Sequence, residues 1–219
     1  RLLFDRSQNK NQLIDLDIEQ RGYEQKKSNI YKGKISSIEP SLGAVFIDYG
    51  VEKLGFLPIK DISKEYFLSN EPIHPNMDIK KILKVGQELV VQVDKEERGN
   101  KGAALNTFIS LAGSYLVLMP NNPRAGGISR RIEGEDRDIL RASLDGVTVP
   151  EGMSVIIRTA GVGRSSEELT WDLQFLLRYW EAIKQAAIAK PGPYLIHQES
   201  DVVIRAVRDY LKHNISEII

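Results

Sequence analysis

The sequence predicts an α+β chain that is rich in β-strands, and three observations support this fold class. Between residues 29 and 110, short stretches of β-branched and aromatic residues alternate with turns rich in glycine, proline or charge. After residue 110, a strand pattern leads through a glycine-rich loop into a long segment with helical spacing of apolar residues. A second helical segment covers residues 201–213. The short strands have the number and spacing of a small barrel of the OB type.

The chain begins with two predicted strands, residues 1–4 and 12–18, which flank a polar turn. Two strands pair as a hairpin but do not form a stable domain alone. Asp15 and Asp17 lie two residues apart on the second strand, so both side chains face the same side and a shared metal ion is one interpretation. Solvated or turn-capping carboxylates are the alternative, and the lack of a third ligand favours it.

The predicted barrel turns a phenylalanine towards solvent. In the strand at residues 44–48, the period of two places Val45 and Ile47 on one face and Phe46 on the other. If Val45 and Ile47 face the core, Phe46 does not. Phe56 lies on the next strand, close enough in a small barrel to share a surface with Phe46. The five predicted strands are residues 29–35, 44–48, 53–58, 86–95 and 103–110.

Two exposed rings would form a platform on which nucleic-acid bases stack, at about 1–3 kcal/mol per base. Nearby cations would hold the phosphates, and the candidates are Lys32, Lys34 and Lys101. The alternative is that Phe46 and Phe56 are ordinary core residues of a β-domain.

Arginines cluster after the predicted strand at residues 115–119. Guanidinium groups are always charged and match phosphate oxygens, so the Pro/Gly/Arg-rich segment 120–131 is a candidate phosphate clamp. A solvated loop balanced by neighbouring acids is the alternative. The arginines are Arg124, Arg130, Arg131 and Arg137, and the acids are Glu133, Glu135 and Asp136.

A second candidate anion site follows the predicted strand at residues 154–157. Arg158, the Thr159 hydroxyl and the amides of a glycine-containing loop meet there, just before a helix begins. A terminal phosphate needs such a set of donors. The loop lacks the lysine of a Walker A motif, which argues against nucleotide hydrolysis. The alternative is a glycine-rich turn that only starts a helix.

The helix after this loop has a recognisable start and a core face. Ser165, with Glu168 three residues later, forms a capping-box signature. The helical spacing of its apolar residues predicts a buried stripe rather than a cofactor site. These residues are Leu169, Leu173, Leu176, Leu177, Trp180 and Ile183. A predicted strand at 194–197 follows, and the last helix carries a face that we interpret as solvated, formed by Asp201, Arg205, Arg208 and Lys212.

The amino-acid composition limits which kinds of binding site the chain can contain. Lys+Arg 30 and Asp+Glu 30 cancel, so any polyanion site must be local. The absence of cysteine excludes disulfides and thiolate metal ligands within this sequence. His74, His197 and His213 lack metal-ligand spacing. No apolar run reaches the length of a membrane span and no signal-peptide pattern is present, so we expect a soluble, cytoplasmic chain.

Long runs of the sequence resemble the bacterial ribonuclease E/G family. The barrel segments that carry the resemblance are residues 30–35, 38–42 and 46–50. Three later runs, residues 95–105, 111–120 and 121–132, resemble the ribonuclease E branch, and the similarity extends from about residue 15 to the last residue. The resemblance implies an endoribonuclease that cleaves single-stranded RNA with a 5′-monophosphate end, in RNA processing and mRNA decay.

The resemblance also implies an organisation and a set of site residues. It places an OB-type RNA-binding barrel (25–108) and a 5′-end sensor module (109–203) within a ribonuclease-H-like fold, whose segments are 1–24 and the incomplete 204–219. Phe46, Phe56 and Lys101 would bind RNA near the cut. The residues of the 5′-phosphate pocket would be Arg158 and Thr159 at the phosphate, Gly113 and Val117 beside the terminal nucleotide, and Arg130.

The family's catalytic aspartates lie in a later domain, as do the cysteines that join its protomers through zinc. We therefore predict no catalytic residue and no metal ligand in this chain. The resemblance implies Mg²⁺ in the parent enzyme, a homotetramer, an RNA-degradation complex, and attachment to the inner face of the membrane through parts not present here. The alternative function is a non-catalytic, stand-alone OB-fold RNA-binding protein with the same barrel and rings.

Overall fold

The computed structural model describes residues 2–5, 12–16, 25–68 and 79–210. The chain divides into two compact units, of which the larger is Lys26–Gln198 and the smaller comprises the segments on either side. The predictions for Asp17, His74, Lys212 and His213 lie outside the described residues, and so does the Asp15 side chain.

Strands outnumber α-helices in the described residues, as the sequence predicts. The strands are β1 (Leu2–Asp5), β2 (Gln12–Leu16), β3 (Ile30–Glu39), β4 (Ala44–Asp48), β5 (Gly55–Pro58), β6 (Glu88–Lys95), β7 (Ala104–Asn106), β8 (Leu111–Ala112), β9 (Leu116–Met119), β10 (Gly127–Ile128), β11 (Ser154–Ile157) and β12 (Tyr194–His197). The α-helices are α1 (Ile79–Ile82), α2 (Gly134–Asp145), α3 (Ser166–Ala189) and α4 (Val202–Tyr210).

Five strands of the larger unit form a closed barrel in the order β3-β4-β5-β7-β6, and β6 pairs back with β3. The β5–β7 pairing is parallel and the other pairings are antiparallel. Closure follows from the length of β3, since its first half pairs with β6 and its second half with β4. This topology confirms the predicted α+β, strand-rich fold with an OB-type barrel.

Alternating residues of each strand fill the barrel. The period-two pattern is clear in β4, where Val45 and Ile47 are fully buried and Phe46 is not. Tyr49 closes one part of the core, and its ring meets that of Tyr31 edge to face with centroids 5.0 Å apart. The remaining core residues include Ile35, Leu57, Leu89, Val91, Val93 and Leu105.

A second sheet, in the order β10-β11-β9-β8, follows the barrel in the same unit. The long helix α3 packs on one face of this sheet and buries Leu169, Leu173 and Leu176. The capping box of Ser165 and Glu168 begins this helix, which confirms the predicted start. Ile30 and the partly buried Val90 of the barrel join the same core, and β12 pairs with β3. The barrel and the second sheet therefore share apolar contacts.

Helix α2 was not predicted from the sequence, and one predicted strand ends earlier in the structure than expected. Helix α2 begins at Gly134, has a polar composition, and buries only Leu140 completely, so its apolar signal is weak. The predicted strand 103–110 is interrupted at Thr107. Its hydroxyl donates to the Asp61 carbonyl (2.8 Å) and accepts from the Ser63 amide (2.6 Å), which turns the chain out of the barrel towards β8.

The smaller unit contains the β1–β2 hairpin and α4. The two strands pair antiparallel with a register shift at Leu3 and Phe4. On α4, the guanidinium of Arg208 lies 3.2 Å from the Glu199 carboxylate and 2.9 Å from that of Asp209. The predicted basic face therefore includes ion-paired charge.

Candidate nucleic-acid interface

Phe46 and Phe56 form a cross-strand pair on the outside of the barrel. They lie opposite each other in the β4–β5 register, with ring centroids 5.8 Å apart at an interplanar angle of 62°. Both are partly exposed, whereas their neighbours Val45, Ile47 and Leu57 are fully buried. The interpretation of the two rings as barrel-core residues therefore does not describe this structure.

The strand register extends this surface beyond the two rings. Phe56 pairs with Ala104 of β7, and Ala104 pairs with the exposed Lys95 of β6. We call the row Phe46, Phe56, Ala104 and Lys95 the aromatic row. It combines two stacking groups with a cation, which is the chemistry that single-stranded nucleic acid requires.

Lys101 lies on a tight turn beside β5. Arg98 and Lys101 exchange backbone hydrogen bonds of 3.1 Å, and the Lys53 ammonium donates to the Gly99 carbonyl at 2.7 Å. Gly102 fixes the approach of this turn, because a Cβ there would lie 1.9 Å from the Leu54 carbonyl oxygen. The exposed Lys101 side chain is thereby held near the strand that carries the second ring.

Lys32 and Lys34 form ion pairs that the sequence did not predict. Their ammonium groups lie 2.8 and 3.5 Å from the Glu88 carboxylate, and Lys32 also donates to the Lys190 carbonyl at 2.9 Å. Hydrogen bonds from Lys32 and from the Gly192 amide hold the pKa of Glu88 below its ordinary value. Lys32 thereby connects the barrel to the end of α3, and of the three candidate cations only Lys101 lacks such an ion pair in the described chain.

A polar cleft of about 170 Å³ opens next to the aromatic row. Its floor is the cross-strand pair of Gln92 and Asn106, and Asn106 is two residues along β7 from Ala104. The Gln92 amide is fully engaged, donating to the Ser28 and Ser110 carbonyls at 3.0 Å each. The rim includes Lys27, Asp94 and Phe108. The cleft could not be predicted from the sequence because its residues come from three separate segments.

Arg158 lies where β11 ends and the turn Thr159–Gly161 begins. Its Nη1 group donates to the carbonyls of Gly113 and Ser114, and its backbone amide donates to the Tyr115 carbonyl at 2.8 Å. Thr159 is exposed beside it. The structure thus brings Gly113 next to Arg158 and Thr159, although Gly113 lies 45 positions before Arg158 in the sequence.

Val117 lies on the face of the sheet opposite α3. Its neighbours in β9, Leu116 and Leu118, face the core, so Val117 points the other way. It pairs with Ala112 on one side and Ile156 on the other, and all three are partly exposed. This apolar shelf leads to Arg158, two residues beyond Ile156.

Gly113 is buried against the carboxylate of Asp172 on α3. A Cβ at this position would lie 2.6 Å from one carboxylate oxygen and 2.7 Å from the other. The glycine is therefore required by close approach, not by an unusual backbone angle. Asp172 was not among the predicted residues.

The predicted arginine loop divides into residues with different roles. Arg130 is exposed and follows Ser129, whose amide donates to the carbonyl of Ile157 at 2.8 Å, so Arg130 lies at the same end of the sheet as Arg158. Arg137 instead donates to the carbonyls of Ser129 (3.1 Å) and Ile132 (3.3 Å). Its guanidinium stabilises the loop, while Arg124 and Arg131 are exposed.

Arg164 supports the loop from the other side. Its guanidinium lies 4.8 Å from the centre of the Tyr115 ring and 3.0 Å from the Glu168 carboxylate. Bonds from the Ser165 amide and from Arg164 lower the pKa of Glu168 below its ordinary value. The same glutamate therefore caps α3 and holds the arginine that stacks on Tyr115.

The described residues contain no group of three histidine, aspartate or glutamate side chains arranged to hold a metal ion. No described helix combines the length and the apolar character needed to cross a membrane.

Comparison with known proteins assigns both halves of the chain to families. Residues 24–108 match the S1 RNA binding domain, and residues 110–219 match the Ribonuclease E/G family. A structural match to a solved multidomain protein from Streptococcus pneumoniae covers 81% of this chain and 53% of the chain of that protein, with 13% sequence identity and a TM-score of 0.28. This TM-score is too low for the match to bear on the family assignment.

Curated relatives agree with the family matches. The chain is 66% identical to Ribonuclease E of Escherichia coli and 64% identical to that of Haemophilus influenzae, over 94% of its own length. It is 36% identical to Ribonuclease G of Haemophilus influenzae, of which it covers 42%. The chain spans about one fifth of the two Ribonuclease E relatives, 20% and 22%. On these matches, the chain belongs to the ribonuclease E/G family and carries an S1 domain as its barrel.

Proposed function

We propose that this chain is the RNA-binding and 5′-monophosphate-sensing portion of an endoribonuclease that cleaves single-stranded RNA in RNA processing and mRNA decay. The observation that carries the proposal is the outward-facing pair of Phe46 and Phe56 on a barrel that matches the S1 RNA binding domain. Membership of the ribonuclease E/G family supplies the type of reaction.

The barrel binds RNA by stacking and by charge. Each ring of the aromatic row accepts the face of one base, at about 1–3 kcal/mol per base and without regard to sequence. Lys101 and Lys95 lie beside the rings and contact the phosphates that connect the stacked bases. Since the formal net charge of the chain is +0, these local cations set the electrostatic part of the affinity.

The second sheet binds the 5′ end. Arg158 and the Thr159 hydroxyl donate to the terminal phosphate, and charge-assisted bonds of this kind contribute roughly 1.5–3 kcal/mol each. The shelf formed by Ala112, Val117 and Ile156 contacts the terminal nucleotide, with Gly113 at its edge. Arg130, at the same end of the sheet, adds positive charge.

A pocket of this kind discriminates by the end group. A 5′-hydroxyl offers no anion to the guanidinium, and a triphosphate brings charge and bulk beyond what one arginine and one hydroxyl can accept. We therefore infer a preference for the monophosphate over both.

Catalysis belongs to parts of the enzyme outside this chain. Hydrolysis by a metal-activated water requires carboxylates that converge on Mg²⁺. The family resemblance assigns those carboxylates, the zinc-binding cysteines and the tetramer contacts to a later domain. We propose that this chain alone does not cleave RNA, that the parent enzyme is a cytoplasmic Mg²⁺-dependent tetramer, and that it joins an RNA-degradation complex.

Fluorescence anisotropy with short single-stranded RNAs labelled at the 3′ end tests the proposal. RNAs of one sequence with a 5′-monophosphate, 5′-hydroxyl or 5′-triphosphate are titrated with the chain. We expect binding to all three and the tightest binding to the monophosphate. Equal affinity for the three ends would contradict the sensing function, and no binding to any would contradict the RNA-binding function as well.

A stand-alone RNA-binding protein has the same barrel and is the second candidate. The match of residues 110–219 to the Ribonuclease E/G family favours the nuclease portion. Joining this chain to the remaining domain of a family member and assaying Mg²⁺-dependent cleavage separates the two, because only a nuclease portion restores cleavage.

A further inference from the structure

Three consecutive peptide groups connect α3 to the loop that holds Arg158. On the side of α3, the Asp172 carboxylate accepts three backbone N–H bonds. Its Oδ1 accepts from Ser114 at 3.0 Å, and its Oδ2 accepts from Tyr115 and from Leu116 at 2.8 Å each.

The opposite ends of the same peptide groups bind Arg158. The Gly113 carbonyl accepts from the Arg158 guanidinium, the Ser114 carbonyl lies at a longer distance of 3.5 Å from the same nitrogen, and the Tyr115 carbonyl accepts from the Arg158 backbone amide at 2.8 Å. In a trans peptide the N–H and the C=O point in opposite directions. Each of the three groups therefore has its N–H on the carboxylate and its C=O on the arginine.

We propose that Asp172 is a positioning residue for 5′-phosphate recognition: it fixes and polarises the three peptide groups that orient Arg158, and it does not itself contact RNA. The proposal rests on the function proposed above for Arg158. A carboxylate on the N–H side of a peptide group strengthens the carbonyl as an acceptor, since hydrogen bonds in a chain polarise one another. The guanidinium is thus held by carbonyls that carry added negative character.

Steric contact supports the same arrangement. Gly113 lies so close to the Asp172 carboxylate that a Cβ would be 2.6 Å from Oδ2. The Gly113 amide donates to the Leu116 carbonyl at 2.8 Å, which closes the turn around the carboxylate. The loop is therefore shaped to enclose this particular side chain.

The test compares 5′-monophosphate and 5′-hydroxyl RNAs of the same sequence by anisotropy, with the wild-type chain and Asp172→Asn. Asparagine keeps the size of the side chain but replaces one acceptor oxygen by a donor, so at least one N–H loses its acceptor. We expect the preference of the wild-type chain for the monophosphate to fall about tenfold. Affinity for the hydroxyl RNA should stay unchanged, which a general loss of structure would not allow.

A double-mutant cycle shows whether Asp172 acts through Arg158. In the Arg158→Ala background, Asp172→Asn should cause no further change in the preference, because the group that it positions is gone. The matched control is Thr170→Val, which removes a 2.7 Å bond from Thr170 to the Ser166 carbonyl on the same helix and leaves the loop alone. This control should keep the full preference.

The possible results separate the two proposals. A wild-type chain that does not distinguish the two RNAs would overturn the sensing function and this inference together. A wild-type chain that distinguishes them, with the preference intact in Asp172→Asn, would overturn this inference alone. Additive effects of Asp172→Asn and Arg158→Ala would also overturn it, since they would show that the aspartate acts independently of the arginine.

Discussion

The two candidate binding regions of this chain are built in opposite ways. On the barrel, Phe46 and Phe56 point outward from regular strands, and the register alone makes them neighbours. At the second sheet, Arg158 is held by backbone carbonyls of a loop more than forty residues away in sequence. The barrel presents its groups by local alternation, whereas the second sheet depends on long-range contacts. We therefore expect RNA binding at the barrel to tolerate the loss of a residue next to the rings. Recognition of the 5′ end at the second sheet should not tolerate the loss of a residue that holds Arg158.

The largest effect is expected when both rings of the aromatic row are removed. Phe46→Ala with Phe56→Ala should weaken RNA binding by about 1–3 kcal/mol per ring, whatever the RNA sequence or end group. Anisotropy titrations measure this loss. The matched control is Leu42→Ala, an exposed apolar residue of the barrel (60% exposed), which should leave the affinity unchanged.

Two outcomes would change the account of the barrel. Preserved affinity in the double variant, with an unchanged thermal melting temperature, would show that RNA binds elsewhere. A large fall in the melting temperature would show that the rings contribute mainly to stability.

A smaller and more selective effect is expected at the second sheet. Arg158→Ala should reduce binding of 5′-monophosphate RNA by roughly 1.5–3 kcal/mol and leave 5′-hydroxyl RNA unaffected, because only the former offers an anion to the guanidinium. Arg141→Ala on α2 is the control, since it removes an exposed arginine that is paired with Asp138 on the same helix. Equal losses for both RNAs would mean that Arg158 acts on the fold or on the RNA backbone in general.

The cation beside the rings should have a weaker effect that depends on salt. Lys101→Gln should lower the slope of log affinity against log salt by about 0.7, the value for one phosphate contact on a single strand. Lys184→Gln, which removes a lysine paired with Glu181 on α3, should not change the slope. If the slope of log affinity against log salt were the same in both variants, Lys101 would not contact a phosphate in the interface.

The smallest effect concerns the connection between the two regions. The pKa of Glu88 is lowered by hydrogen bonds from Lys32 and Gly192, so its contribution to stability is present above its ordinary value of 4.5 and is lost as the pH falls through the lowered pKa. Urea denaturation should show wild type more stable than Glu88→Gln at neutral pH, with the difference shrinking below pH 4.5. A difference independent of pH would show that the charge of Glu88 contributes nothing.

The sequence predicted those features that depend on local pattern. The alternation in β4 placed Phe46 outside, and the Ser165–Glu168 capping box began α3 where the structure begins it. Helix α2 escaped prediction because its apolar signal is weak and a glycine stands at its first position. In these segments, elements with a strong local pattern were predicted and the element with a weak pattern was missed.

Features made by distant residues could not be predicted from one sequence. Glu88 engages Lys32 and Lys34 from another strand, so the sequence alone did not reveal that both lysines are ion-paired. Asp172 is separated by 56–58 positions from the amides that it binds, and it lies on a helix whose pattern indicated only a core face. The local pattern and the resemblance to a known family both indicated Arg158 and Thr159, but neither indicated the aspartate behind them.

The central claim is that the chain has two separate RNA-binding sites. The most direct test is the ratio of the affinities for 5′-monophosphate and 5′-hydroxyl RNA. This ratio is measured in wild type, in the Phe46/Phe56 double variant and in Arg158→Ala. The account predicts that the double variant binds both RNAs more weakly with the wild-type ratio preserved, and that Arg158→Ala brings the ratio to about one while it keeps the affinity for hydroxyl RNA. A double variant that loses the ratio, or an Arg158→Ala chain that retains it, would contradict the account.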